Sequence, residues 1–119
     1  NDFDATVLGN ILISAGTLDA SETNPAADSE IYLSGNWTNG GTFSSGNSTV
    51  FLNGTVDQTV GAEPNFNNLI FNKSSNGAII NGNVTAKYIA LYNGTLTFSG
   101  GQTLYSTGNF LFLGANAID

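Results

Sequence analysis

The end of this 119-residue chain echoes its beginning, and a chain that repeats has to bury each copy against the next. Ile11-Leu12-Ile13-Ser14-Ala15-Gly16-Thr17-Leu18 reads against Ile89-Ala90-Leu91-Tyr92-Asn93-Gly94-Thr95-Leu96. Ile31-Tyr32-Leu33-Ser34-Gly35-Asn36-Trp37 reads against Leu104-Tyr105-Ser106-Thr107-Gly108-Asn109-Phe110. The offset is 78 residues from Ile11 to Ile89 and 73 from Ile31 to Leu104, which places a surface-loop insertion within Ser21–Glu30 of the first copy. The copies run over roughly 5–46 and 83–119 of a single domain spanning 1–119, and the second stops opposite Gly46. An incomplete repeat raises the question of what covers its open end.

Local patterning sets the element type. Apolar residues alternate with period two in short runs such as Phe3–Val7, Asn10–Ser14, Ile31–Leu33, Thr49–Leu52 and Asn68–Phe71. Asn39-Gly40, Asn53-Gly54, Asn76-Gly77, Asn81-Gly82 and Asn93-Gly94 punctuate the runs, and Asn-Gly tolerates the positive φ of tight turns. Nothing in the pattern calls for a helix. The expected fold is all-β, a β-solenoid carrying an incomplete internal repeat, with a Greek-key or jelly-roll sandwich as the alternative. The repeat favours the solenoid. So does Gly-Asn at Gly9-Asn10, Gly35-Asn36, Gly46-Asn47, Gly82-Asn83 and Gly108-Asn109, where corner asparagines could hydrogen-bond from coil to coil.

Residues 31–73 carry a resemblance. Gly35-Asn36-Trp37-Thr38-Asn39-Gly40-Gly41-Thr42-Phe43 is followed by Ser48-Thr49-Val50-Phe51-Leu52-Asn53-Gly54-Thr55, Gln58-Thr59-Val60-Gly61 and Phe66-Asn67-Asn68-Leu69-Ile70-Phe71. The series resembles the Gly/Asn/Thr-rich β-helical repeat modules of large secreted and cell-surface proteins of bacteria and archaea. The resemblance implies a spacer or stalk architecture and supplies no catalytic residues. This chain departs from it in being one short unit rather than a long array.

Composition excludes several functions. Asn, Ser, Thr and Gly fill nearly half of the chain, and the formal charge is −7 with Lys73 and Lys87 the only basic residues. A phosphate backbone needs clustered Lys and Arg, so nucleic acid is not a partner. No apolar run reaches a membrane span, the longest being Tyr88–Tyr92 and Phe110–Leu113. With no His and no Cys, the usual triads, cysteine nucleophiles and zinc sites have no parts, and the expectation is a non-enzyme. Lys73 with Ser74 and Ser75 reads as a solvated turn rather than a Ser–Lys pair.

Asp19, Glu22, Asp28 and Glu30 offer hard oxygens that suit calcium, but no calcium-loop spacing accompanies them, so an acidic solubilising loop is the expectation and no cofactor is implied. Sequons begin at Asn36, Asn47, Asn53, Asn72, Asn83 and Asn93, which a glycosylating host could modify and which chance would also produce in so Asn- and Thr-rich a chain. Trp37, Tyr32, Tyr88, Tyr92 and Tyr105 would make a glycan-stacking platform if they shared a face. Trp37 is the candidate glycan contact, although its match to Phe110 in the repeat favours packing.

The ends of the chain carry the sharpest signal. Asp2–Val7 alternates without a break and sets Phe3, Ala5 and Val7 on one side, while Phe110, Leu111, Phe112 and Leu113 form an apolar strand near the other end. Neither stretch has a charged or helical cap, and an uncapped terminal coil offers unpaired main-chain groups to another strand. The expected role is an extracellular or cell-surface structural subunit that assembles with itself head to tail. Phe3, Ala5 and Val7 would donate a strand to an acceptor end formed by Phe110, Phe112 and Leu113. Asn1 opens directly on a patterned strand with no initiator Met or leader before it, in keeping with a processed secreted chain or a trimmed one. A spacer or glycan-binding adhesin module of a larger surface protein is the alternative.

Overall fold

The computed structural model describes residues 4–21, 28–113 and 117–118, the last pair by backbone alone. The strands are β1 (Asp4–Val7), β2 (Ile11–Ile13), β3 (Thr17–Asp19), β4 (Glu30–Leu33), β5 (Trp37–Asn39), β6 (Thr42–Ser44) and β7 (Thr49–Leu52). They continue with β8 (Gln58–Gly61), β9 (Asn65–Ile80), β10 (Val84–Phe98), β11 (Leu104–Ser106), β12 (Phe110–Phe112) and β13 (Ala117–Ile118), and no helix occurs among the described residues. Every ladder is parallel. Parallel partners cannot be joined by a tight hairpin, so the chain travels round and returns one strand spacing higher, about 4.8 Å along the axis. The molecule is a β-solenoid.

Its coils share three walls. The first runs β1–β4–β7, then the Asn68–Phe71 part of β9, the Tyr88–Leu91 part of β10, and β12. The second runs β2–β5–β8, then the Ala78–Ile80 and Leu96–Phe98 parts of β9 and β10, with β13 paired to Thr95–Leu96. The third holds β3 against β6, and further along the start of β9 against the start of β10 and then β11. Period-two alternation sends every second side chain inward, and register piles these into columns. Ala5, Ile31, Val50, Leu69, Ile89 and Phe110 form one column, and Val7, Leu33, Leu52, Phe71, Leu91 and Phe112 form another. All but the end members of these columns are buried.

The corners use the asparagines as the sequence suggests. Asn10 Oδ1 accepts the Asn36 N–H at 2.8 Å, Asn36 Oδ1 accepts the Thr59 N–H at 2.8 Å, and Asn83 Oδ1 accepts the Thr103 N–H at 3.0 Å. Each bond satisfies a main-chain donor that the bend takes out of the ladder. Gly35 and Gly54 sit at corners where a Cβ would run into the carbonyl oxygen of the preceding coil, at Gly9 and Ser34.

The repeating unit differs from the one expected. Register advances from Ala5 to Ile31, Val50, Leu69, Ile89 and Phe110, so the repeat is a single coil of about twenty residues. The first coil is longer, and its excess lies between Asp19 and Glu30, where the insertion was expected. Ile11 belongs to the second wall but Ile89 to the first, and Ile31 to the first but Leu104 to the third. Matching 5–46 to 83–119 therefore laid one wall over another. All three walls use the same apolar-x-apolar code between Gly/Asn corners, so local sequence does not distinguish them.

Candidate functional site

Three features of the solenoid could carry function: its two ends, a groove on its outer face and a buried polar node. At one end, β1 pairs with β4 on one edge, and its other edge has no partner among the described residues. Ala5, Val7, Ile11, Ile13 and Leu18 line a hollow of about 470 Å³ that opens along the axis there. At the other end Phe110 and Phe112 stand in register with Ile89 and Leu91, yet remain 43% and 44% exposed. Among the described residues, one end thus presents an apolar hollow, and the other presents two aromatic rings from the same wall.

The groove lies on the outer side of the first wall and has a volume of about 590 Å³. Thr49, Asn68, Ile70, Tyr88, Ala90, Tyr92, Asn109 and Leu111 line it together with Ile89, Gly108 and Phe110, so it crosses successive coils and reaches the Phe110 end. Tyr88 and Tyr92 are 40% and 36% exposed. Tyr32 stacks on Phe51 at 4.6 Å on the same outer face, where register sets Tyr32, Phe51, Ile70, Ala90 and Leu111 in one line. Asn68 Nδ2 donates to Thr49 Oγ1 at 3.0 Å, and the Lys87 ammonium lies 5.1 Å from the Tyr88 ring centre.

The polar node is centred on Lys73, which is only 2% exposed. Its Nζ donates to Gly54 O at 2.6 Å, Val56 O at 2.7 Å and Gln58 Oε1 at 2.6 Å. Gln58 Oε1 also accepts the Gly54 N–H at 2.7 Å, while its Nε2 donates to Leu33 O at 2.9 Å and to Gly35 O. Three consecutive coils are therefore tied through two side chains. Burial pushes the Lys73 ammonium down from 10.5 to about 8, against the pull of the Asp57 carboxylate. Between those two pH values the unfolded chain holds a proton that the folded chain has released, so stability should rise with pH across that window. The chain has two lysines, so Nζ-labelled lysine gives two side-chain signals; the Lys73 signal should titrate near 8, and titration near 10.5 would refute the assignment.

No family model, curated protein or solved structure matches the chain. What the residues could do therefore rests on where the fold places them.

Several expected site residues stand elsewhere than expected. Phe3 lies outside the described residues, and Ala5 and Val7 belong to β1, which pairs in register with its own β4 rather than forming a detached donor arm. Period-two alternation that continues without a break into the wall makes β1 the first strand of its own ladder. Trp37 is fully buried, edge-on to Phe43 at 4.8 Å and to Phe66 at 4.9 Å, so it cannot touch a glycan. Its inward position on β5, in register with Ile11 and Val60, puts it in the core. Tyr32, Tyr88 and Tyr92 do share the first wall, whereas Tyr105 is on the third.

Among the sequons, Asn47, Asn72, Asn83 and Asn93 are exposed, and Asn36 and Asn53 are half-buried. Asn36 is also engaged in the corner ladder, and Asn93 Nδ2 donates to Asn72 Oδ1 at 2.9 Å. Of the acidic group, Glu22 lies outside the described residues, and no cluster of three metal-ligating side chains occurs among the described ones. Asp19 accepts from the Ser21 hydroxyl and N–H, which together with Ser44 hold its carboxyl below the usual range. Asp28 is exposed, and Glu30 accepts from the Tyr32 hydroxyl, which raises the tyrosine above its ordinary value.

Lys73 is the residue that sequence reasoning misread, since it is buried rather than a solvated turn residue. The signal was present: Leu69, Phe71 and Lys73 continue one period-two inward series.

Proposed function

We propose that this chain is a non-enzymatic structural subunit that assembles head to tail, coil upon coil, into an extracellular or cell-surface filament. The observation that carries the reading is the match between the two end faces. Placing β1 of one copy on β12 of another continues the first wall in the same parallel sense, with Phe110 and Phe112 set over Ala5 and Val7. The aromatic rings then enter the hollow lined by Ala5, Val7, Ile11, Ile13 and Leu18. Ladder bonds satisfy both edges, and apolar burial adds to them. The two surfaces differ, so the contact is heterologous and propagates unless its rotation closes a ring. Coil stacking replaces donation of a free strand in this scheme. The resemblance of residues 31–73 to repeats of secreted and surface proteins supports the location.

Electron microscopy of the purified chain across a concentration series, paired with light scattering, tests this. Fibres of constant width are expected. A monodisperse monomer at high concentration would overturn self-assembly and leave a spacer whose neighbouring coils come from another segment. Val7→Lys places an ammonium in the hollow, where its long stem can reach solvent and spare the fold. Added in small proportion to wild-type chain, it should bind through its intact Phe110/Phe112 end and block further growth beyond its own β1. Fibres should become shorter in proportion to the dose.

A further inference from the structure

We infer that the outer groove of the first wall is a binding site for a neutral, extended polysaccharide. The groove runs along the solenoid axis, taking Thr49 from β7, Asn68 and Ile70 from β9, Tyr88 and Tyr92 from β10, and Leu111 from β12. A ligand that fills it must itself be elongated. Because coils recur about every 4.8 Å, a polymer of similar units meets hydrogen-bonding and apolar groups again at each step.

The lining chemistry selects the class. Sugar rings present C–H faces that pack on aromatic and aliphatic surface, and hydroxyls that pair with amides and alcohols. Tyr88 and Tyr92 supply exposed rings, Ile70 and Ala90 an apolar floor, and Thr49 and Asn68 fixed polar groups. The Asn68–Thr49 bond holds that pair, and Lys87 over the Tyr88 ring restrains the tyrosine, so less side-chain freedom is lost on binding. Apart from the single Lys87 ammonium beside the Tyr88 ring, no charged side chain meets the groove, although the chain carries nine carboxylates and a net charge of −7. An anionic polymer would meet that overall field without a cationic groove to hold it, and a cationic one would find no carboxylate in the lining. A peptide strand cannot be added there either, because this face offers side chains, the main-chain groups being committed to the ladders.

The groove shares Phe110 with the proposed assembly end, and testing it on the Val7→Lys chain, in which end-to-end growth is blocked, keeps the two apart. Affinity electrophoresis and calorimetry would use soluble β-glucan, α-mannan and amylose as neutral probes, with polygalacturonate as the charged counterpart. Saturable binding to at least one neutral polymer is expected. It should weaken at least tenfold in Tyr88→Ala, recover in large part in Tyr88→Phe and remain unchanged in Tyr105→Ala, which lies outside the groove. Ala90→Arg, which fills the floor without removing a ring, should also abolish binding. The inference is overturned if no neutral polymer binds, if polygalacturonate binds as well, or if binding survives both Tyr88→Ala and Ala90→Arg. Loss of self-association rather than of sugar binding in Tyr88→Ala would also overturn it, making the groove a lateral contact between copies.

Discussion

Trp37→Ala should destabilise the fold by about 3–5 kcal/mol, the usual range for emptying a large aromatic site in a packed core. Trp37 is fully buried where the second and third walls meet, and its ring contacts Phe43 and Phe66, which themselves lie 5.7 Å apart. Trp37 and Phe43 belong to one coil and Phe66 to the next, so the cavity would sit between two coils and could close only if ladder pairings shifted. Parallel register resists such a shift, because a slip of one residue would turn an inward column outward. Trp37→Phe should be milder. It keeps much of the ring contact and removes the indole N–H, which is buried with no hydrogen-bond partner among the described residues. Urea denaturation measures both variants, with Leu12→Ala on the exposed side of β2 expected within about 0.5 kcal/mol of wild type. A Trp37→Ala loss below about 1 kcal/mol would contradict the central place given to this cluster.

The second large effect is expected at the polar node. Lys73→Met keeps most of the side-chain volume and removes every donor. It leaves Gly54 O and Val56 O without the ammonium, while Gln58 Oε1 retains only the Gly54 N–H. A buried acceptor stripped of its partner costs about 1–3 kcal/mol, so the substitution should destabilise by about 2–4 kcal/mol. Gln58→Leu should cost a similar amount, since Leu33 O, Gly35 O and the Gly54 N–H lose their partner. The two side chains share one network, so the double variant should fall short of the summed single effects by about 1 kcal/mol or more. Strict additivity in that cycle would mean that the lysine and glutamine act separately. Lys87→Met serves as the surface control.

These two sites show what the sequence reveals and what it withholds. Period-two runs and Asn-Gly turns are local, and they pointed to an all-β chain. The corner role of Asn10, Asn36 and Asn83 was likewise visible, because Gly-Asn recurs where the chain must bend. Which wall a run belongs to depends on how many residues separate it from its partner one coil away, and that number varies. From Ile11 to Trp37 to Val60 to Ile80 the steps differ, so a search at one fixed offset matched runs from different walls. The same limitation hid the shared face of Tyr32, Tyr88 and Tyr92 and implied a false equivalence between Trp37 and Phe110. Lys73 was missed for another reason: residue type was weighed above its place in the Leu69–Phe71–Lys73 series.

The coil length described above has a consequence for economy of form. Each circuit of about twenty residues advances the axis by one strand spacing, about 4.8 Å, whereas twenty residues of α-helix would extend about 30 Å. Measured by reach per residue, this is a slow way to cover distance. What each circuit adds instead is perimeter: three ribbons of outward side chains, renewed at every step and free to vary while the inward columns stay apolar. Each added circuit contributes little span but a full perimeter of display, so the outer walls offer the most room for chemistry to diversify.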